Sequence, residues 1–164
     1  MIRSYEDRDR EACRSLWRDL TQWHRDLYAD QSIGADRDPG DFFDEHLATV
    51  GAERIWVAEE DGSILGFVGL IVDGARGELE PIVVSPDARG SGLGRALGEQ
   101  VITAARELGL RRIDVRPAAR NDGALRFFHE LGFDTLGQLE LMIYLQEPKD
   151  WPVHARLADR EFRA

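Results

Sequence analysis

Apolar positions along this chain change their spacing in a definite order, and each change predicts an element. Ile2 to Tyr5 reads as a short strand. From Asp7 onward Ala12, Leu16, Leu20 and Leu27, with Cys13, Trp17 and Trp23 beside them, recur at helical spacing. Arg10, Arg14, Arg18 and Arg25 occupy much of the remainder, so a surface helix with one buried face is expected. The stretch from Ala29 to Asp41 is rich in Asp, Gly and Pro and reads as a loop. A second short helix is expected over Phe42 to Val50.

The period then drops to two. IWVAEE and SILGFVGLIV flank Asp61-Gly62, a hairpin signal with its expected turn chemistry. Gly74 and Gly77 mark another reversal, and ELEPIVV, Glu78 to Val84, follows as a third antiparallel strand. Proline has no N–H to give a ladder, so Pro81 predicts a bulge or a break in pairing. After SPDARGSG a helix runs to about Leu108, with Leu93, Leu97, Val101, Ala104 and Leu108 on one stripe and Gly109 as its stop. Arg112 to Arg116 is a strand ending at Pro117, which makes a parallel, right-handed crossover.

A last helix is expected over Asp122 to Leu131. Gly132 is placed to end it, so that Phe133 packs back on Phe127 or Phe128. Two strands, Phe133 to Leu136 and Leu139 to Leu145, are expected next. The tail adds a short helix through Val153, Leu157 and Phe162 that packs on the domain or on a partner subunit.

Composition narrows the class. A chain of 164 residues, 43% hydrophobic and 32% charged, fits one soluble domain. The formal net charge of −10 repels phosphate backbones and anionic lipid, so neither nucleic acid nor a membrane is an expected partner. No apolar run is long enough to span a bilayer and the first residues are charged, which points to a cytoplasmic protein. The single cysteine, Cys13, shares the apolar helical face and reads as a core residue. His24, His46, His129 and His154 show no ligand spacing, so no metal is expected.

Candidate chemistry centres on VVSPDARGSGLGRALG. Gly90, Gly92 and Gly94 lie between a strand end and a helix start, where free backbone N–H groups and the helix dipole form an anion site. Arg89 and Arg95 add charge. A Walker A loop is excluded because Gly94 is followed by Arg95-Ala96, and neither glycine pair fits the dinucleotide spacing.

The ordered set of LEPIVV, Arg89-Gly-Ser-Gly92-Leu-Gly94 in the form RxxGxG, a long helix and NDGALRFFHELGF resembles the GNAT family of acetyl-CoA-dependent N-acetyltransferases. The likeness covers about Glu78 to Phe133, and the elements before it follow the family's opening order. It implies an α/β fold: a mixed, mostly antiparallel sheet of about six to seven strands flanked by helices, with a bulge in the fourth strand near Pro81. It also implies one domain over residues 1–146 and a tail over 147–164. The RxxGxG loop, here Arg89, Gly90, Ser91, Gly92, Leu93, Gly94 and Arg95, would wrap the coenzyme A pyrophosphate. The backbone of Ile82, Val83 and Val84 would pair with the pantetheine arm, and Asn121 would contact the cofactor.

Acetyl transfer to an amine needs a neutral nucleophile, while an amine of pKa about 10 is mostly protonated at pH 7. A general base is the natural device. Glu80, beside the implied cofactor and just before the suspected bulge, is the first candidate and Glu78 the reserve. The family often protonates the departing thiolate with a tyrosine, but the matching residue here is Phe128, an apolar wall for the thioester. A thiol of pKa about 8.5 leaves as a reasonably stable thiolate, so water can serve; Tyr144 is the main alternative, with Tyr28 and His129 behind it. By the same resemblance the acceptor meets Trp23, His24 and Tyr28, with Asp30, Asp36, Asp38 and Asp41 nearby.

The expected function is acetyl transfer from acetyl-CoA to a primary amine of a small molecule or peptide, by direct attack in a ternary complex. Phe128 motivates the alternative, an acetyl-CoA binding or sensing module with impaired catalysis. A strand edge and a tail with Trp151 and Phe162 that would need covering admit a homodimer.

Overall fold

The hairpin about Asp61-Gly62 forms as its alternation predicts. β2 (Ile55–Glu60) and β3 (Ser63–Asp73) pair antiparallel, from Ile55 opposite Gly69 to Glu60 opposite Ser63. Asp61 and Gly62 take φ of 49° and 77°, the pair of positive values that matches a two-residue turn to strand twist. The structure, a computed structural model, describes residues 1–143, 145 and 151–163. The chain forms two compact units, residues 1–115 and 116–164.

In the first unit, β1 (Ile2–Ser4) pairs antiparallel with β2, and β4 (Arg76–Val84) with β3. β5 (Arg112–Asp114) returns parallel to β4 after helix α3 (Leu93–Glu107), so the sheet order is β1-β2-β3-β4-β5. One face carries α1 (Arg10–Tyr28) and α2 (Asp41–Val50). Its core joins Cys13 and Leu16 of α1, Phe43 and Val50 of α2, and Val57, Phe67 and Val83 of the sheet. Phe43 meets Phe67 edge to face at 5.3 Å, and Trp17 stacks on Phe67 at 6.0 Å. α3 covers the other face with Leu97 and Val101 fully buried. Gly66 of β3 faces it, since a β-carbon there would stand 3.2 Å from Leu97 Cδ1.

Pro81 does mark a bulge. Val68 pairs with Ile82 and Leu70 with Leu79, which leaves Gly69 alone opposite both Glu80 and Pro81. Two residues against one reverse the alternation of β4. Val83 therefore joins Phe67 in the α1–α2 core, whereas Leu79 pairs with Leu70 on the α3 face.

Ion pairs fasten the loop between α1 and α2. Arg14 bridges Asp38 at 3.1 Å, Asp41 at 2.8 Å and also Asp44, and Arg18 binds Asp38 at 2.8 Å.

In the second unit α4 (Asp122–Glu130) ends as its sequence predicts. Gly132, at φ 99°, donates to the His129 carbonyl and Phe133 donates to the Phe128 carbonyl, both at 3.0 Å. This is the Schellman arrangement, completed by the Phe128 and Phe133 rings at 5.7 Å.

Among the described residues the strands expected over Phe133 to Leu136 and Leu139 to Leu145 do not form. Residues 133–143 are irregular, with Leu136, Leu139, Leu141 and Ile143 exposed, because their alternation meets no neighbouring ladder among the described residues. The expected tail helix is instead a hairpin of β6 (Val153–Leu157) and β7 (Arg160–Arg163). Ala158 and Asp159 turn it with φ of 48° and 58°, values for which neither residue is a strong signal. The described strands thus number seven, five in the main sheet and two in this hairpin.

Candidate functional site

β5 pairs with only three residues of β4, Arg76, Gly77 and Glu78. From Leu79 to Val84 the edge of β4 that faces away from β3 carries no strand among the described residues. The bulge at Glu80–Pro81 begins where that pairing stops. An unladdered strand edge offers main-chain donors and acceptors to an extended ligand. Ile82, Val83 and Val84 lie along it, with the Val83 side chain turned into the core.

The chain leaves β4 at Ser85, whose N–H donates to the Leu65 carbonyl at 2.8 Å, and turns through Pro86–Ala88. Gly90 and Gly92 adopt φ of 80° and 91°, with nothing within 4 Å of where a β-carbon would stand. Glycine is needed there for the backbone path alone. Gly92 caps α3 without a side-chain bond, and the first ladder bond is from Ala96 to the Gly92 carbonyl at 3.1 Å. The N–H groups of Leu93 and Gly94 therefore precede the ladder at the positive end of the helix dipole. This open, glycine-lined turn at a helix start fits a pyrophosphate. Ser91 Oγ donates to the Ala88 carbonyl at 2.6 Å. Arg89 folds back toward the Val84 carbonyl at 3.4 Å and Arg95 pairs with Glu99 at 3.1 Å.

Glu80 is exposed on the bulge, whereas Glu78 is half-buried and pairs in register with Ile71 and Asp114. By alternation both lie on the α1–α2 face of the sheet.

Trp23, His24 and Tyr28 stand half-buried on the last turns of α1. The Trp23 and His24 rings meet edge to face at 5.1 Å, and burial lowers the His24 pKa. Of the nearby carboxylates, Asp38 and Asp41 are engaged by Arg14 and Arg18, and Asp30 accepts from the Ser32 N–H at 2.9 Å.

Asn121 and Phe128 belong to the second unit. Asn121 is the N-cap of α4, its Oδ1 accepting from the Ala124 N–H at 2.9 Å. Phe128 is buried, with the Phe127 ring at 5.2 Å as well as that of Phe133. His129 is exposed. Tyr144 lies outside the described residues.

His46 is a residue that sequence reasoning passed over. It is 8% exposed on the inner face of α2, its ring 5.4 Å from Trp17, and burial pushes its pKa down to about 4. Its Nε2 is buried without a hydrogen-bond partner among the described residues. The available signal was its spacing, since Phe43, His46, Leu47 and Val50 form one helical stripe with a single polar member.

The model of the Acetyltransferase (GNAT) family matches residues 14–133. The L-amino acid N-acyltransferase MnaT of Escherichia coli is 29% identical over 118 residues, covering 69% of this chain and 67% of its own. A mycothiol acetyltransferase of Actinosynnema mirum is 30% identical over 144 residues, 80% of this chain and 43% of that one. The chain spans less than half the length of several of the curated relatives it matches. Among solved structures, N-acetylglutamate synthase from Neisseria gonorrhoeae, complexed with coenzyme A and N-acetyl-glutamate, aligns with a TM-score of 0.63 at 26% identity. That alignment covers 84% of this chain and 28% of the synthase.

Proposed function

The chain belongs to the acetyltransferase (GNAT) family, and from that premise we propose that it moves an acetyl group from acetyl-CoA to a primary amine of a small molecule or peptide, within a ternary complex. One observation carries the reading. The unladdered edge of β4, opened at the Glu80–Pro81 bulge, runs directly into the Gly90–Gly94 turn at the start of α3. Extended arm and diphosphate would thus be met by one continuous stretch of backbone, Ile82 to Arg95.

Acetyl-CoA supplies the activated acyl group and a thiolate leaving group. What the protein adds is placement and proton handling. Glu80, exposed at the bulge, accepts the proton that an ammonium of pKa about 10 must lose before its nitrogen can attack. The new C–N bond forms as the C–S bond breaks. The acylated nitrogen then sheds its second proton, which balances the one that the thiolate, of thiol pKa about 8.5, takes up through water or Tyr144. Trp23, His24 and Tyr28 form the acceptor side. Amino-acid amines head the order of acceptors, in view of the relative named for L-amino acids.

A binding or sensing role without turnover is the second reading, favoured by Phe128, whose ring has no proton to give. Calorimetric titration with acetyl-CoA, followed by mass spectrometry of amines incubated with the complex, separates the two. Saturable binding with an acetylated amine supports transfer, binding without product supports the sensor, and absence of binding rejects both.

A further inference from the structure

Beneath the bulge of β4 lies a buried imidazole nitrogen with no hydrogen-bond partner among the described residues. Leaving such an atom unpaired forfeits its hydration with no return, so a polar group kept this way calls for an explanation. His46 Nε2 is that atom, on a ring held against Trp17. The space it faces belongs to Gly69. A β-carbon on Gly69 would stand 2.4 Å from His46 Nε2 and 2.6 Å from the Glu80 main-chain oxygen. Ring nitrogen and carbonyl oxygen thus converge on one point, and the missing methyl is what allows it. The two atoms therefore lie within 5.0 Å of each other, on the same side of β3.

Burial leaves the ring neutral, so it carries one N–H and one lone pair. Nε2 is also closed off from solvent, which prevents direct contact with an acceptor and directs any effect through the strand. We propose that His46 is a positioning residue: in the donor-bound protein its Nε2–H bonds the Glu80 carbonyl, fixing the bulge and with it the direction of the Glu80 carboxylate. This role rests on the transferase reading above.

Two measurements test it. In the whole protein with coenzyme A, nitrogen-15 NMR of the histidine rings reports the tautomer. The Nε2–H form, protected from exchange once coenzyme A is added, is expected; the Nδ1–H form overturns the proposal, since it leaves no donor at Nε2. The second compares His46→Leu and His46→Gln, using acetyl-CoA and the fastest of L-alanine, L-phenylalaninamide, spermidine and a short peptide. His46→Leu should keep its acetyl-CoA affinity and acceptor KM while kcat falls about tenfold to a hundredfold, as for a misplaced reacting group. His46→Gln, which retains an N–H, should recover most of the loss. Unchanged kcat in a folded His46→Leu overturns the proposal, and if that variant does not fold the tautomer decides. Absence of thiol release from every amine overturns the transferase reading and this role with it, whereas release with the wrong tautomer overturns this role alone.

Discussion

Gly69 stands across the ladder from Glu80 with no room for a side chain, its would-be β-carbon 2.6 Å from the Glu80 carbonyl oxygen. Neither the strand backbone nor the wedged His46 ring can yield cheaply. Gly69→Ala is therefore expected to lower stability by about 1–3 kcal/mol, the usual range for overpacking, measured by urea unfolding. Unchanged stability would mean that the bulge is softer than its register implies.

At the bulge itself, Glu80→Gln removes the proposed proton acceptor while keeping the size of the side chain. The expected result is a fall in kcat of about a hundredfold or more with acetyl-CoA affinity retained. Equal kinetics across pH for the two proteins would assign the proton to another group.

The family resemblance would put Phe128 where an acid is often supplied, and in the structure its ring closes the end of α4 against Phe133. If the departing thiolate is protonated by water or Tyr144, Phe128→Tyr gives no rise in kcat. A clear rise would show that a hydroxyl is needed there. Gly132→Ala, by contrast, acts on the fold: a left-handed residue with a side chain costs about 1–2 kcal/mol.

Stability should decline in mild acid for a definite reason. Burial holds the His46 pKa at about 4, below the 6.5 of an unfolded chain. Between those values the unfolded chain binds a proton that the folded one does not, so stability falls as pH drops from 6.5 toward 4, by about 3 kcal/mol in full. Asp9 acts lower. Its hydrogen bond from Arg3 depresses its pKa, so its contribution is present above pH about 4 and is lost only as pH falls further. Urea unfolding at several pH values checks both, and His46→Leu should shrink the upper window, leaving the part due to His24, whose pKa burial also lowers.

What the sequence displayed was mostly what local chemistry decides. Period-two alternation around Asp61-Gly62, the stop glycines Gly109 and Gly132, and Pro81 each act within a few residues, and each predicted its element. Long-range pairing was hidden. Nothing local says that the α1 arginines engage Asp38 and Asp41, or that Ala158-Asp159 turns a hairpin. The apolar alternation from Leu139 to Ile143 reads as a strand, but a strand also needs a neighbour. His46 looked like one more core position until the β3 register set Gly69 against it. The glycine turn was legible as an anion site, whereas the open edge of β4 depends on β5 stopping at Asp114, which nothing local specifies.

Release of free thiol tests the central claim most directly. Purified protein is mixed with acetyl-CoA and, separately, with amino acids, amino-acid amides, polyamines and short peptides, and coenzyme A is followed with a thiol reagent. Acceptor-dependent release from at least one amine, reduced in Glu80→Gln, is the predicted result. Saturable acetyl-CoA binding with no release above background from any amine would contradict it.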